Sequence, residues 1–272
     1  MEQITDIKAI QELLFGCLSH FKTICEKHRL TYYLSNGTLL GAVKYGDFIP
    51  WDDDADVLMP REDYERFMSL SDAETERYGL LCQNGKTGWK YPYAKLSDKT
   101  TVLKELEADF GAEVGVSLDI FPLDYRTNGK TTSSIHAYRC AFLKRLMSFA
   151  VQDEFHPNPR GIKRIVLWML YYFSRAIGTK RLKEKLLRIA VKSNKNSPKN
   201  YCGPVVWTCY NKGESIRSEV FSDSVTIKFH GSEFNAPVGY DEYLRGLYGD
   251  YEPDPPPEKQ KSNHFVTIYS KS

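Results

Sequence analysis

The sequence predicts an α+β fold: a mixed β-sheet core with flanking helices and a basic helical insert. Three observations carry that prediction. Apolar residues recur at helical spacing over 5–29 (Ile7, Ile10, Leu13, Leu14, Cys17, Leu18, Phe21, Ile24, Cys25), as in a helix with one buried stripe. Short strand-like segments punctuated by Gly and Pro follow it. From roughly 131 to 200 the pattern turns helical and the charge segregates, with fifteen Lys and Arg against three Asp and Glu.

Taken in order, Tyr32, Tyr33 and Leu34 favour a strand, Asn36-Gly37 breaks it, and Thr38–Val43 opens a short helix. After a Gly46-Asp47 turn, Ala55, Val57 and Met59 alternate with Asp54, Asp56 and Leu58. That is a strand with two carboxylates on one face. Pro60 stops it, and 61–67 begins another helix. The segments GLLCQNG (79–85) and KYPYAKLSD (90–98) read as strands, TVLKELEADF (101–110) is ambiguous between helix and strand, and VGVSLDIFPLD (114–124) is a strand carrying Asp119. The helical stretch is interrupted at HPNPRG (156–161). Beyond Pro204, VVWTCY and VTIKFHG look strand-like, Tyr240–Leu247 is a helix, and the Pro-rich GDYEPDPPPEKQ runs extended over the surface. These shifts divide the chain into a catalytic core (1–130), the basic helical insert (131–200) and a C-terminal segment completing the site (201–272).

The whole-chain numbers narrow the function class. A length of 272 residues with 42% hydrophobic and 26% charged residues and a net charge of +2 describes an ordinary globular protein. The six cysteines (Cys17, Cys25, Cys82, Cys140, Cys202, Cys209) show no C-x-x-C spacing, and no secretory leader precedes them. Reduced, buried thiols in a cytoplasmic protein are therefore expected. The longest apolar run, IVLWMLYYF at 165–173, is shorter than the roughly 20 residues needed to cross a bilayer.

The chemistry concentrates in three places: the Asn36-Gly37-Thr38 turn, Asp54-x-Asp56, and Asp119. An acidic run such as 52–56 is ordinarily a solvated turn. Here it lies between Phe48, Ile49 and Trp51 and the strand Val57-Leu58-Met59, where packed carboxylates are costly without a cation. Oxygen ligands of this kind suit Mg²⁺, or Mn²⁺, which neutralises charge on a phosphoryl group. A Gly-Thr turn at a helix start offers N–H groups and a hydroxyl to phosphates.

The run LSNGTLLGAVKYGDFIPWDDDADVLMPREDYERF, followed in order by YPYAKLSDKTT, GVSLDIFPLD and YLRGLYGDYEPDPPPEKQKSNH, resembles the LicD family. The resemblance implies a nucleotidyltransferase-like core that moves a phospho-alcohol from a CDP-linked donor to a glycan hydroxyl; the best-known members place phosphocholine on teichoic acid or lipopolysaccharide. It assigns Asp54, Asp56 and Asp119 to the metal and catalysis, Gly37 and Thr38 to the phosphate turn, and Lys95 and Asp98 to the donor, with His264 near the active site. If the cargo is choline, a quaternary ammonium requires an aromatic pocket, for which Tyr33, Trp51, Trp89, Tyr91 and Tyr93 are the candidates. Ribitol phosphate, glycerol phosphate, or nucleotidyl transfer from an NTP would use the same centre. The basic insert lies outside the resemblance and has two readings. It is a solvated surface, or a peripheral docking face (139–192) for the inner side of an anionic membrane or a lipid-linked acceptor, with Trp168, Tyr171 and Tyr172 at the interface. No RNA-binding signature accompanies it, so no nucleic-acid partner is expected.

Overall fold

The computed structural model describes all residues except 83–87, 106–109, 127–129, 153–154, 156–160, 208–214, 263–265 and 272; the side chains of 105, 130–137 and 266 also lie outside that description. In chain order the elements are β1 (Glu2–Ile4), α1 (Ile7–His28), β2 (Tyr33–Leu34), α2 (Asn36–Tyr45), β3 (Ala55–Pro60), α3 (Arg61–Phe67), β4 (Tyr78–Leu81), β5 (Ala94–Asp98), β6 (Thr101–Glu105) and β7 (Ser117–Tyr125). Then come α4 (Lys130–Val151), α5 (Ile162–Ile177), α6 (Thr179–Asn196), β8 (Tyr201–Gly203), β9 (Ile216–Arg217), β10 (Ser224–Phe229), β11 (Ser232–Pro237), α7 (Tyr240–Tyr248) and β12 (Val266–Ser270). The fold is α+β, as its sequence pattern predicts.

The main sheet runs β2-β3-β7-β5-β4, with β8 and β9 extending it from the far end of β7. β3 and β7 pair in parallel, whereas β2, β5 and β8 join antiparallel. α1 packs on β5 and β7. Asp6 caps it, its carboxylate accepting from the N–H groups of Lys8 (3.3 Å) and Ala9 (3.2 Å). Its stripe Leu14, Cys17, Leu18, Phe21 and Ile24 is buried, each large side chain worth about 1.5–3 kcal/mol.

β7 continues through Pro122 to Tyr125. Pairing with β5 ends at Ile120 and pairing with β8 begins at Asp124, so proline sits where its missing N–H breaks no ladder on that side. At this end Arg61 makes a two-pronged ion pair with the buried Asp124 (Nε–Oδ1 2.8 Å, Nη2–Oδ2 2.6 Å). Asn194 of α6 donates to the same carboxylate and accepts from the Tyr125 N–H at 3.0 Å. These bonds fasten the helical layer α4–α6 to the sheet.

The loop between α2 and β3 is held from three sides. Gln11 of α1 donates to the carbonyls of Ile49 and Asp52, both at 3.0 Å. His230, at the tip of the β10–β11 hairpin, meets Asp47 at 2.8 Å and Glu12 at 3.1 Å. Gly41 lets the loop lie against α2, since a Cβ there would fall 2.6 Å from the Asp47 carbonyl and 2.9 Å from the Ile49 nitrogen. Gly41→Ala is therefore expected to destabilise the fold by about 1–3 kcal/mol, read as a lower thermal midpoint.

Some local expectations are revised. α2 begins at Asn36 itself, which adopts a left-handed φ of 47° that asparagine tolerates. The ambiguous 101–110 stretch is the strand β6 over 101–105, paired with β12. The strand near 205 is instead Tyr201–Gly203, because that stretch lies beside the end of β7; Val205 and Val206 are buried in the bend that follows. The helical stretch contains a second break, at Gly178, whose φ of 83° ends α5. The described cysteines, Cys17, Cys25, Cys82, Cys140 and Cys202, are buried; Cys209 lies outside the described residues. Burial pushes the thiols of Cys17 and Cys202 up to about 12, which removes them as nucleophiles.

Candidate active site

Side chains alternate faces along a strand, so the register decides which residues meet. β3 and β7 place Asp56 beside Asp119, and β7 and β5 place Lys95 on the other side of Asp119. Three charged residues thus form one row across three adjacent strands, each pair roughly 5 Å apart. Lys95 Nζ lies 2.5 Å from Asp119 Oδ1. Asp54, two residues before Asp56, points to the same side.

The row opens into a cleft of about 270 Å³. Its polar lining comprises Asp53, Asp54, Asp56, Lys95, Ser117 and Asp119; its aromatic lining comprises Tyr91, Tyr93, Phe110, Phe121 and Trp207. Trp207 packs edge-on to Tyr91 (centroids 5.2 Å) and tilted on Tyr93 (5.5 Å), while Tyr93 meets Phe121 at 4.7 Å. Lys144 of α4 sits 4.9 Å above the Trp207 ring, so the helical layer borders the cleft directly.

Asp56 is held by more than its strand. Its N–H donates to Thr38 Oγ1 at 2.8 Å, and its Oδ2 accepts from Asn36 Nδ2 at 3.1 Å. Asn36 Oδ1 in turn accepts from the Tyr243 hydroxyl of α7 at 3.0 Å. Burial, then the nearby Asp54 and Asp119 charges, push the Asp56 carboxyl well above the ordinary range, against the Asn36 bond that favours its charged form. Burial, then Asp54 and Asp53, push Asp52 up to about 9. Among the described residues, no three Asp, Glu, His or Cys side chains already converge as a preformed metal cage. The donor set nonetheless fits a hard divalent cation: buried carboxylates that repel one another are relieved by positive charge.

Other candidates stand elsewhere. Gly37 and Thr38 do not line the cleft. A Cβ on Gly37 would meet Asp52 Oδ2 at 2.5 Å, and Thr38 is buried on the Asp56 backbone, so both shape the carboxylate loop. Asp98 lies three residues beyond Lys95 and so faces the other side of β5. It is fully buried, paired with Arg77 (2.9 Å) and bonded to the Thr100 N–H (2.9 Å), which anchors the strand away from the cleft. Of the aromatic candidates, Tyr91 and Tyr93 line the cleft. Trp89 is buried behind them, its Nε1 donating to the Tyr93 carbonyl at 2.6 Å. Tyr33 is turned to the Phe221 carbonyl (3.0 Å), and Trp51 is half-buried on a turn outside the lining. His264 lies outside the described residues.

Residues 29–156 match the family model described as LicD/FKTN/FKRP, nucleotidyltransferase domain. The chain is also 27% identical, over 272 residues and 99% of each protein, to the lipopolysaccharide cholinephosphotransferase LicD of Haemophilus influenzae. The chain thus resembles LicD proteins, in its first half through the family model and along its whole length through the Haemophilus protein. A shorter similarity, 32% over 68 residues, covers 25% of the chain and 21% of an uncharacterized protein of Rickettsia typhi. The stretch matched by the LicD model contains Asn36, Asp54, Asp56, Lys95 and Asp119, whereas Trp207 and Tyr243 lie beyond it. With this nucleotidyltransferase-type domain the chain is an enzyme of the transferase class. Among its described residues no helix is long and apolar enough to cross a membrane.

Proposed function

We propose that this chain transfers phosphocholine from CDP-choline to a sugar hydroxyl of a cell-surface glycan precursor of the lipopolysaccharide or teichoic acid type. The observation that carries the reading is that the aromatic group Tyr91, Tyr93 and Trp207 and the Asp56–Asp119–Lys95 row line one cleft. A quaternary ammonium has no hydrogen-bond donor and is held by ring faces, while the phosphate end needs positive charge. The name of the Haemophilus relative supports the cargo.

Asp54, Asp56 and Asp119 are the residues that would hold Mg²⁺ or Mn²⁺, whose charge would offset that of the donor diphosphate. Lys95 brings its ammonium to the same row and steadies the phosphoryl oxygens. The acceptor hydroxyl oxygen forms the new bond to the phosphorus of the phosphocholine group. The bond from that phosphorus to the CMP oxygen breaks, CMP departs, and the hydroxyl proton passes to Asp119. Asn36 and Tyr243 fix the Asp56 carboxylate through both steps.

The test is donor turnover by the full chain with a glycan extract as acceptor, with and without divalent cation. CMP release and choline incorporation, both lost with chelator, are expected. Trp207→Ala is expected to raise KM for CDP-choline about tenfold to thirtyfold, the equivalent of one desolvated cation–π contact. Turnover of CDP-ribitol or CDP-glycerol in preference to CDP-choline would sink the choline assignment, and pyrophosphate release from an NTP would replace the reaction class.

A further inference from the structure

The helical layer carries a surface that the transfer chemistry does not use. On α5, Ile162, Ile165, Val166, Met169, Tyr172 and Phe173 recur at three- and four-residue spacing on one stripe, and all are exposed, from 43% at Val166 to 80% at Ile162. The opposite stripe, with Tyr171 and Ser174 buried, packs against α4 and α6. An apolar face this continuous is rare on a surface that meets only water. Trp168 (50% exposed) packs tilted against Tyr172, with ring centroids 4.6 Å apart, at the edge of the stripe.

Next to the stripe, a groove of about 310 Å³ runs between α4, α5 and α6. Its floor is apolar (Leu143, Leu146, Ile177, Leu182), and Arg139, Arg181 and Lys185 stand on its lining. We propose that this face docks on an anionic lipid bilayer. α5 lies in the headgroup boundary with its apolar stripe inserted, and the groove takes an acyl chain beneath a phosphate held by Arg139, Arg181 and Lys185. Length excludes spanning: at about 1.5 Å per residue, sixteen residues reach roughly 24 Å against a hydrocarbon core near 30 Å. Charge selects the occupant. Fifteen basic residues against three acidic ones over 139–199 would set two copies of this face in mutual repulsion, whereas an anionic leaflet complements it. Lys144 on Trp207 and Lys183 on the Trp89 carbonyl (2.6 Å) join the same helices to the aromatic wall, so docking brings the cleft to the membrane surface.

The test is co-sedimentation of the full chain with vesicles of phosphatidylcholine containing about one-third phosphatidylglycerol, and with phosphatidylcholine alone. Binding at least about tenfold stronger to the anionic vesicles is expected, weakening with salt. The double variant Ile165→Glu, Met169→Glu is expected to lose it by about tenfold or more, with its circular dichroism and its turnover of donor onto a soluble acceptor unchanged. The pair Arg181→Glu, Lys185→Glu reads the same surface from α6 should the first variant fail to fold. Equal partitioning of wild type and both variants would overturn the proposal. So would a wild-type dimer in sizing that Ile165→Glu, Met169→Glu dissolves, since a second copy would then cover the stripe. Vesicle binding is read without donor, so its failure leaves the transfer reaction standing, and the reverse holds.

Discussion

Asp56→Asn is expected to abolish transfer while making the metal-free chain more stable. The rate loss should be on the order of 10³-fold, since removing one charged oxygen from a cation-binding set costs several kcal/mol of transition-state stabilisation. The stability gain has a separate origin. Asp56 is 8% exposed and lies among Asp54 and Asp119, while asparagine fills the same space, still accepts from Asn36 Nδ2, and carries no charge. Roughly 1 kcal/mol of relieved repulsion raises the midpoint of a chain this size by about 2–4 °C. The pH dependence carries the same sign. Asp52 and Asp56 titrate higher in the folded chain than unfolded, so above the ordinary pKa of about 3.8 the folded state holds protons that the unfolded chain has released. The metal-free protein therefore loses stability as pH rises from about 4 towards about 9, and the slope should flatten in Asp56→Asn and on adding Mg²⁺. Thermal melts at pH 6 and pH 8 with chelator check this; an identical slope in both proteins would remove Asp56 from the cluster.

Lys95→Met is expected to lower kcat about 10²- to 10³-fold with little change in secondary structure. The ammonium is the cation nearest the carboxylate row, 2.5 Å from Asp119 and 6.0 Å from the Tyr93 ring centre. Methionine retains the stem length that packs along the strand and removes only the charge that, in the proposed reaction, opposes the phosphoryl oxygens. Arginine should not restore the rate, because its planar fork cannot occupy the point position of an ammonium against Asp119. Single-turnover release of CMP separates this loss from weaker donor binding. A Lys95→Met enzyme that differs only in KM would make the lysine a binding contact and no more.

How much of this was legible in the sequence follows from the range of each interaction. Asp54 and Asp56 are two residues apart at the start of β3, so their closeness can be read locally. Asp119 and Lys95 join them through strand register, which the apolar alternation of 114–120 and the AKLSD segment made plausible. Asp98 misled because it sits in the same short segment as Lys95; three steps along a strand reverse the side-chain direction. Thr38 and Gly37 looked like a phosphate turn, yet the hydroxyl serves the Asp56 backbone and the glycine makes room for Asp52. Asn36, Trp207 and Tyr243 carried no local signal. Tyr243 reaches Asn36 across 207 residues, a separation over which periodicity says nothing. The aromatic wall was half visible, since Tyr91 and Tyr93 stand just ahead of Lys95 in the sequence, whereas Trp207 arrives from beyond the helical insert.

The Tyr243–Asn36–Asp56 chain of hydrogen bonds also sets an order of events during synthesis. The strands carrying Asp56, Lys95 and Asp119 leave the ribosome long before α7 does, and β12, which pairs with both β1 and β6, follows α7. A nascent chain can therefore form the carboxylate row while Asp56 still lacks the clamp that Tyr243 supplies through Asn36. A chain stopped before α7 is therefore expected to hold the row without the clamp that Tyr243 supplies.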